Sequence, residues 1–263
     1  MRKVEYYDKI QRLRLIDDVF MSEAFKDIPC VELMLKVILG RDDVHVLSVK
    51  TQKILQGWGR TLRLDVWGNA ELGTFNTEFQ RSNDGADIRR ARLHSSTLDY
   101  FSLDAGQKFR DIPDSYVIFI TEHDFLKGNK PLYTIERCIM ETGEKFNDGS
   151  HIIYVNGSCR DGKTALGRLM QDLFEPDPSK MNYSVLAERS RYLKEGDGIE
   201  IMSETIRELF KDEIAAGRAE KEGSFITNLL KLGRLAFSEI AQCAGVPLSR
   251  VQDIANSLGI HES

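Results

Sequence analysis

Two stretches near residue 70 alternate apolar and polar side chains with the period of a β-strand. Leucine and valine alternate with charged or aromatic residues over 62–67, and phenylalanine and threonine alternate with asparagine, glutamate and glutamine over 75–80. Because successive strand side chains point to opposite faces, each set shares a face. Gly68 and Gly73 bracket a turn. The pattern predicts a β-hairpin over 62–81.

The polar face of this hairpin carries the candidate chemistry. Pairing Gly68 with Gly73 places Asp65 opposite Asn76, on the same face as Glu78 and Gln80. Any antiparallel register in which the numbers of two paired residues add up to an odd number keeps these side chains on one face. Two carboxylates with a nearby carboxamide suit a hard divalent cation such as Mg²⁺ or Mn²⁺. Acidic outer faces of hairpins are often only solvated, so both interpretations stay open.

The remaining pattern predicts helices and strands in alternation. We expect helices near 16–25 and 31–39, a strand over 44–55, a helix over 87–105, a buried strand over 115–121, strands over 131–138 and 151–155, and helices over 164–174 and 181–194. A meander, a helix and a buried strand predict an α/β domain with a mixed sheet.

Three charged residues outside the hairpin are candidates for the same site. Arg89 and Arg92 share a predicted helical face and could bind a phosphate bidentately, although such faces are mostly just solvated. Glu32 lies in the first turn of a predicted helix. It is either a solvated residue that the helix dipole favours or a third acidic group pointing at the hairpin.

Residues 157–164, GSCRDGKT, match the GxxxxGK[ST] phosphate loop. In that interpretation Lys163 would reach nucleotide phosphates and Thr164 a Mg²⁺. Almost everything downstream reads as helix, so the later strands of a nucleotide-binding sheet are missing. We therefore favour a strand-to-helix turn that matches the pattern by chance.

The composition changes after about residue 195. We predict a basic arm over 1–15, a main domain over 16–195 and a helical region over 196–263. Residues 235–259 resemble a helix-turn-helix with Gly245 at the turn. Residues 204–263 carry seven Lys and Arg against nine Asp and Glu, a net charge of −2, which argues against groove reading. The other interpretation is a helical hairpin for packing or homo-oligomer formation.

Bulk composition narrows the class of protein. The chain has 263 residues, 41% hydrophobic, with a net charge of −5, which argues against a generally basic nucleic-acid coat. Its four cysteines are scattered and its five histidines lack zinc spacing, so we expect reduced thiols and no zinc site. No signal-peptide core or membrane-length apolar run is found. We expect a cytoplasmic protein with no membrane partner.

Several blocks together resemble a known family. The segment LRLDV–x(8)–FNTEFQR over 62–81, within an order of helix, three-strand meander, helix and buried strand, is similar to the PD-(D/E)XK nucleases in their D…ExQ form. More narrowly, the chain resembles the recombination-promoting nuclease and putative-transposase branch. The similar blocks are 17–27, 89–99, 115–136 and 147–157.

The resemblance implies a restriction-endonuclease-like core and a Mg²⁺-dependent DNA endonuclease that serves recombination, mobile elements or defence. Asp65 and Glu78 would be the metal ligands, and Gln80 would occupy the place of the family's lysine. Glu32 would match the acidic residue of the first core helix, with Asp18 and Glu23 as rivals. Since glutamine carries no charge, a non-catalytic DNA-binding or protein-interaction module is the alternative.

Overall fold

The computed structural model describes residues 6–56, 61–103, 106–209, 211, 222–230, 236–258 and 260. The chain divides into two compact units, Met1–Thr205 and Ile206–Ser263. Among the helices of the described ranges, none has the length and apolar character needed to span a membrane.

The first unit is built on a six-stranded mixed sheet with the strand order β1-β2-β3-β4-β6-β5. The strands are β1 (Val46–Leu55), β2 (Leu62–Ala70), β3 (Gly73–Gln80), β4 (Ser115–Thr121), β5 (Leu132–Ile135) and β6 (Ser150–Asn156). The first three form an antiparallel meander, β4 and β6 run parallel to β3, and β5 is antiparallel to β6. The predicted α/β class is confirmed.

Helices lie on both faces of this sheet. The helices over residues 7–209 are α1 (Tyr7–Arg12), α2 (Asp18–Ala24), α3 (Ile28–Leu39), α4 (Ile88–Tyr100), α5 (Ala165–Phe174), α6 (Ser184–Lys194) and α7 (Gly196–Leu209). On β3, Glu78 reaches α4, while the next residue, Phe79, stacks on Phe25 at the end of α2 with ring centroids 5.2 Å apart. Consecutive strand residues point to opposite faces, so α4 and α2 cover opposite sides of β3.

Local sequence explains the ends of the helix before the meander. Pro29 lies in the first turn of α3, where its missing N–H costs nothing, and Gly40 ends the helix with a φ of 64°. The apolar run of β4 is buried along most of its length, as expected of a central strand. Helix α3 begins at Ile28, three residues before the predicted start, whereas β4 has the predicted bounds of 115–121.

The hairpin register differs from the predicted one. Gly68 pairs with Phe75 and Ala70 with Gly73, so the turn is Glu71–Leu72 and Asn76 lies opposite Trp67 rather than Asp65. Gly68 serves close packing within the strand: a Cβ there would lie 2.1 Å from the Ser48 carbonyl oxygen. The register moves by two residues, so the polar side chains keep their shared face.

The predicted loose arm over 1–15 is also wrong in its described part. Residues 7–12 form α1, and Ile10 and Leu15 are fully buried. Apolar side chains in an otherwise basic segment anchor it to the first unit. Helix α4 ends at Tyr100, and the last residues of the helix predicted over 87–105 lie outside the described residues.

The second unit contains a three-helix cluster. Its helices are α8 (222–230), α9 (Phe237–Ala244) and α10 (Leu248–Ser257). Gly245, with a φ of 68°, ends α9, as the predicted helix-turn-helix requires. Ile226, Ile240 and Val251 form the centre of the core. The charged helix predicted over 198–222 is described only as far as α7, and residues 212–221 lie outside the described part.

Candidate active site

The ladder between β2 and β3 ends where Asp65 and Glu78 would form the next pair. The last paired residues are Val66 and Thr77. Beyond them, Glu78 Oε1 accepts from the backbone N–H of Asp65 at 3.2 Å, and Asp65 Oδ2 accepts from the N–H of Phe79 at 3.0 Å. The two carboxylates therefore take the place of backbone acceptors and meet between the strands.

The neighbouring strand is irregular at the same level. Thr51 pairs with Val66 and Lys53 with Leu64, so Gln52 lies beside Asp65. Gln52 has a φ of 52°, and its buried Oε1 has no hydrogen-bond partner. A positive φ is costly for a residue with a side chain, so backbone strain on β1 coincides with the carboxylate pair on β2 and β3.

Burial dominates the electrostatics of the pair. Asp65 is 8% exposed and Glu78 is fully buried. Burial, and then the proximity of Glu78, raises the pKa of Asp65 to about 7. Burial also raises the pKa of Glu78, although hydrogen bonds from Asn76 and the charge of Arg90 oppose the shift. Two full negative charges at this point are unfavourable without further positive charge.

Arg90 on α4 supplies the nearest positive charge. Its Nη2 donates to Glu78 Oε2 at 2.8 Å, its Nη1 to the Gly85 carbonyl at 3.0 Å, and its Nε to His94 Nε2 at 3.3 Å. Arg90 and His94 are one helical turn apart, so both project from the inner face of α4. The guanidinium is thus fixed directly against Glu78.

His94 and Asn76 complete a buried polar network, and both are fully buried. Asn76 Nδ2 lies 3.0 Å from Glu78 Oε1 and 3.1 Å from His94 Nδ1. Burial, and then the charge of Arg90, lowers the pKa of His94 to about 4. His94 is therefore neutral at physiological pH, and Arg90 is the cation of the network.

Gln80 lies at the rim of this network. A Cβ on Gly85 would come within 1.7 Å of Gln80 Oε1, so the glutamine side chain fills the space that glycine leaves open. The carbonyl of the same glycine accepts from Arg90. Gln80 and Arg90 thus contact the same short segment, and the carboxamide stands next to the cation.

The arginines predicted from the helical stripe are on the wrong side of α4 for direct contact with the pair. Arg89 and Arg92 are exposed, whereas Arg90 reaches Glu78. If Arg89 and Arg92 bind phosphate as predicted, they would do so from the exposed face of α4. Sequence reasoning missed Arg90 and His94. The available signal was His94 on the apolar stripe of Ala91 and Leu98.

The structure does not bring Glu32 to the carboxylate pair. Its Oε1 accepts from Lys36 at 2.8 Å and its Oε2 from the N–H of Val46 at 3.0 Å. Val46 pairs with Ala70, five residues along β2 from Asp65, or about 16 Å at the rise of a strand. Glu32 belongs to the turn end of the hairpin.

The two rival acidic residues differ. Asp18, the exposed first residue of α2, is close enough for its charge to contribute to the raised pKa of Asp65. Glu23 is buried, and its Oε1 accepts from Lys26 and Thr205, both at 2.7 Å. Asp18 is therefore the acidic residue of this region that remains available to the pair.

The carboxylate oxygens of Asp65 and Glu78 are the type of ligand that a hard divalent cation prefers. Asp65 Oδ1 has no hydrogen-bond partner among the described residues, whereas both oxygens of Glu78 are occupied. Within those residues, no group of three or more His, Cys, Asp or Glu side chains is arranged to hold a metal. Glu78 would have to release Arg90 to share a cation with Asp65.

The segment 157–164 connects β6 to α5, as the phosphate-loop pattern requires. Thr164 Oγ1 accepts from the N–H of Gly167 at 2.9 Å and so caps α5, while Lys163 is exposed. No strand follows β6 in the described ranges. Thr164 therefore acts as a helix cap here.

No family model, curated protein or solved structure matches this chain.

Proposed function

We propose that the protein is a divalent-metal-dependent DNA endonuclease with a restriction-endonuclease-like core. The observation that carries the proposal is the meeting of Asp65 and Glu78, both buried, where the β2–β3 ladder opens. The order α3, meander, α4 and β4 supports the finer fold. The D…ExQ spacing and this geometry support the same assignment.

The electrostatics of the pair explain why a cation would bind. Folding brings two carboxylates into a low-dielectric site and raises the pKa of both. In a purely structural core, apolar residues at these two buried positions would be at least as stable as two carboxylates. A divalent cation would favour the charged form of both groups and so stabilise the arrangement.

Each residue of the site has a distinct part in this proposal. Asp65 and Glu78 would hold Mg²⁺ or Mn²⁺, with Asp18 replacing Glu32 as the candidate third acidic group. The bound ion would polarise the scissile phosphate and lower the pKa of a coordinated water. Gln80 can orient a water or phosphate through hydrogen bonds but cannot act as a base.

Arg90 supplies the positive charge that Gln80 lacks. Its contact with Glu78 at 2.8 Å places a permanent cation beside the carboxylates. If Glu78 held a cation instead of Arg90, the guanidinium would be free to bind a phosphate oxygen. Arg89 and Arg92, on the exposed face of α4, would contact more distant phosphates of the same DNA.

The test is cleavage of supercoiled plasmid in Mg²⁺ or Mn²⁺ by the wild type and by Asp65→Asn. We expect nicked or linear product from the wild type and a loss on the order of 10³-fold in the variant. Asp43→Asn, in an exposed pair with Arg41, is the matched control and should cleave normally. Equal cleavage by Asp65→Asn, or cleavage in excess EDTA, would refute the site.

One observation favours a second function. The Arg90–Glu78 pair, together with Asn76 and His94, forms a largely self-contained network that occupies both carboxylate oxygens of Glu78. A nuclease-like fold retained only for DNA or protein binding would have this property. Calorimetric titration separates the two: duplex binding without any Mg²⁺ or Mn²⁺ binding would support the non-catalytic module.

A further inference from the structure

Three arginines approach one another at the edge of the sheet where the parallel strands end. Arg14 precedes α2, Arg81 follows β3 and Arg160 follows β6; we call them the arginine cluster. The guanidinium carbons of Arg14 and Arg160 lie 5.6 and 3.7 Å from the centroid of the Phe174 ring. Ligands of open α/β sheets bind at this edge.

Two carboxylates accompany the three guanidinium groups. Asp17 pairs with Arg14 at 2.9 Å and with Arg81 at 3.1 Å, and Glu122 pairs with Arg81 at 3.4 Å. Arg160 has no ion pair within the described residues, although Glu122 is near enough to affect its pKa. The cluster therefore carries one positive charge in excess, and Arg160 is the member without a bonded counter-ion.

Arg160 is held in a fixed orientation with its outer donors open. Its Nε donates to the Gly157 carbonyl at 2.9 Å, and its plane rests on Phe174. The residue is exposed, and its two terminal amino groups have no hydrogen-bond partner in the described part of the chain. A rigid guanidinium fork with free N–H groups matches the oxygens of a phosphate.

The cluster adjoins the carboxylate pair through the chain itself. Arg81 directly follows Gln80, and Asp17 precedes Asp18, whose charge reaches Asp65. A polyanion that lay across Asp65 and Glu78 would therefore pass Arg81. Asp17 joins Arg81 to Arg14, and the Phe174 ring joins Arg14 to Arg160. The repeated phosphates of a nucleic-acid strand provide such a polyanion.

We propose that the arginine cluster binds a backbone phosphate of DNA beside the Asp65–Glu78 pair, with Arg160 as its principal donor. This inference rests on the proposed function for the identity of the ligand. It also gives the segment 157–164 a role in phosphate binding that depends on Arg160, whereas the nucleotide-loop pattern would assign it to Lys163 and Thr164.

The experiment measures duplex binding separately from cleavage. Asp65→Asn protein in EDTA is titrated against a short labelled duplex over a range of KCl concentrations, with and without Arg160→Gln, and in parallel against ATP. We expect Arg160→Gln to weaken duplex binding about three- to tenfold and to reduce the salt slope by about 0.9. Arg160→Lys should keep the slope and lose part of the affinity.

The matched control is Arg191→Gln, an exposed arginine in the last turn of α6. Equal duplex affinity in the Arg160→Gln and Arg191→Gln proteins would overturn the proposal, as would loss of ATP binding with unchanged duplex binding. If Arg160→Gln does not fold, unchanged affinity in Arg160→Lys has the same consequence. If duplex binding depends on Arg160 but the wild type does not cleave DNA, phosphate binding by the arginine cluster is supported and only the endonuclease activity is refuted.

Discussion

Two buried charged sites in the first unit differ in how completely the protein satisfies them. Lys194 is 3% exposed, and its Nζ donates to the carbonyls of Gln11, at 3.0 Å, Leu13, at 2.7 Å, and Pro176. The three N–H groups of the ammonium thus have three acceptors. At the other site, Asp65 and Glu78 place like charges together, and Asp65 Oδ1 has no partner among the described residues.

The difference distinguishes a charge that the protein satisfies fully from a pair that it leaves incompletely neutralised. Burial lowers the pKa of Lys194 to about 8, so it is largely protonated at neutral pH and its hydrogen bonds fix α1, α5 and α6 together. Burial also disfavours the charged forms of Asp65 and Glu78, and it raises the pKa of both carboxyl groups. A site that its own protein leaves incompletely neutralised is one that a ligand can complete.

Replacement of Lys194 should have the largest effect on stability. Lys194→Met leaves three carbonyls without their donor, and we expect a loss of about 3 kcal/mol of unfolding free energy. Denaturant titration by circular dichroism measures it. Lys180→Met, at an exposed pair with Asp177, should change stability by less than about 0.5 kcal/mol. Similar values for both variants would contradict the structural role of Lys194.

Replacement of Asp65 should have the opposite sign. The folded pKa of about 7 lies above the ordinary value of 3.8 for an aspartate, so the folded state binds more protons between these limits and stability falls as pH rises through them. Asp65→Asn removes this loss, and we expect a gain on the order of 2 kcal/mol at pH 8. Melting temperatures against pH measure it.

Divalent metal should affect the wild type and Asp65→Asn differently. Mg²⁺ should raise the melting temperature of the wild type at pH 8 and leave that of Asp65→Asn unchanged, since binding to the folded state alone stabilises it. Destabilisation of Asp65→Asn at every pH, with no response of the wild type to metal, would make the pair a structural element like Lys194.

The sequence predicted the carboxylate pair because strand parity survives an error in register. The predicted turn began two residues too early, since Gly68 lies within β2 and is needed for close packing rather than for the turn, yet Asp65, Glu78 and Gln80 stayed on one face. The choice of a helical face tolerates no such error, because neighbouring residues differ by about 100° around the helix axis. The selection of Arg89 and Arg92 therefore missed Arg90, which alone of the three reaches Glu78.

Long-range contacts explain the other differences. Nothing local in the basic N-terminal segment indicates that Gln11 and Leu13 would bind Lys194, more than 180 positions away. Glu32 has a suitable acidic side chain, but its carboxylate accepts from the N–H of Val46 at the start of β1, away from the pair. These partners are set by tertiary packing, which periodicity alone does not specify.

His94 should give a smaller, pH-dependent effect. Its folded pKa of about 4 lies below the reference value of 6.5, so the unfolded state binds more protons between these limits and stability rises with pH across them. In an Asp65→Asn background, His94→Gln should flatten this rise, which we expect to be about 1 kcal/mol. His45→Gln, at an exposed histidine, is the control and should leave the slope intact.

The smallest effect is expected from Gln80→Lys, which adds a cation at the rim of the pair. A nearby positive charge favours ionised carboxylates, so the pKa of Asp65 should fall below about 7 and the loss of stability between pH 4 and 7 should shrink, by less than about 1 kcal/mol because Gln80 is partly exposed. The same shift should move the acidic limb of the cleavage profile to lower pH. Gln80→Met keeps the side-chain size without charge and should leave both curves in place. An unchanged profile in Gln80→Lys would mean that Arg90 already fixes the charge state of the pair and that position 80 acts only through hydrogen bonds.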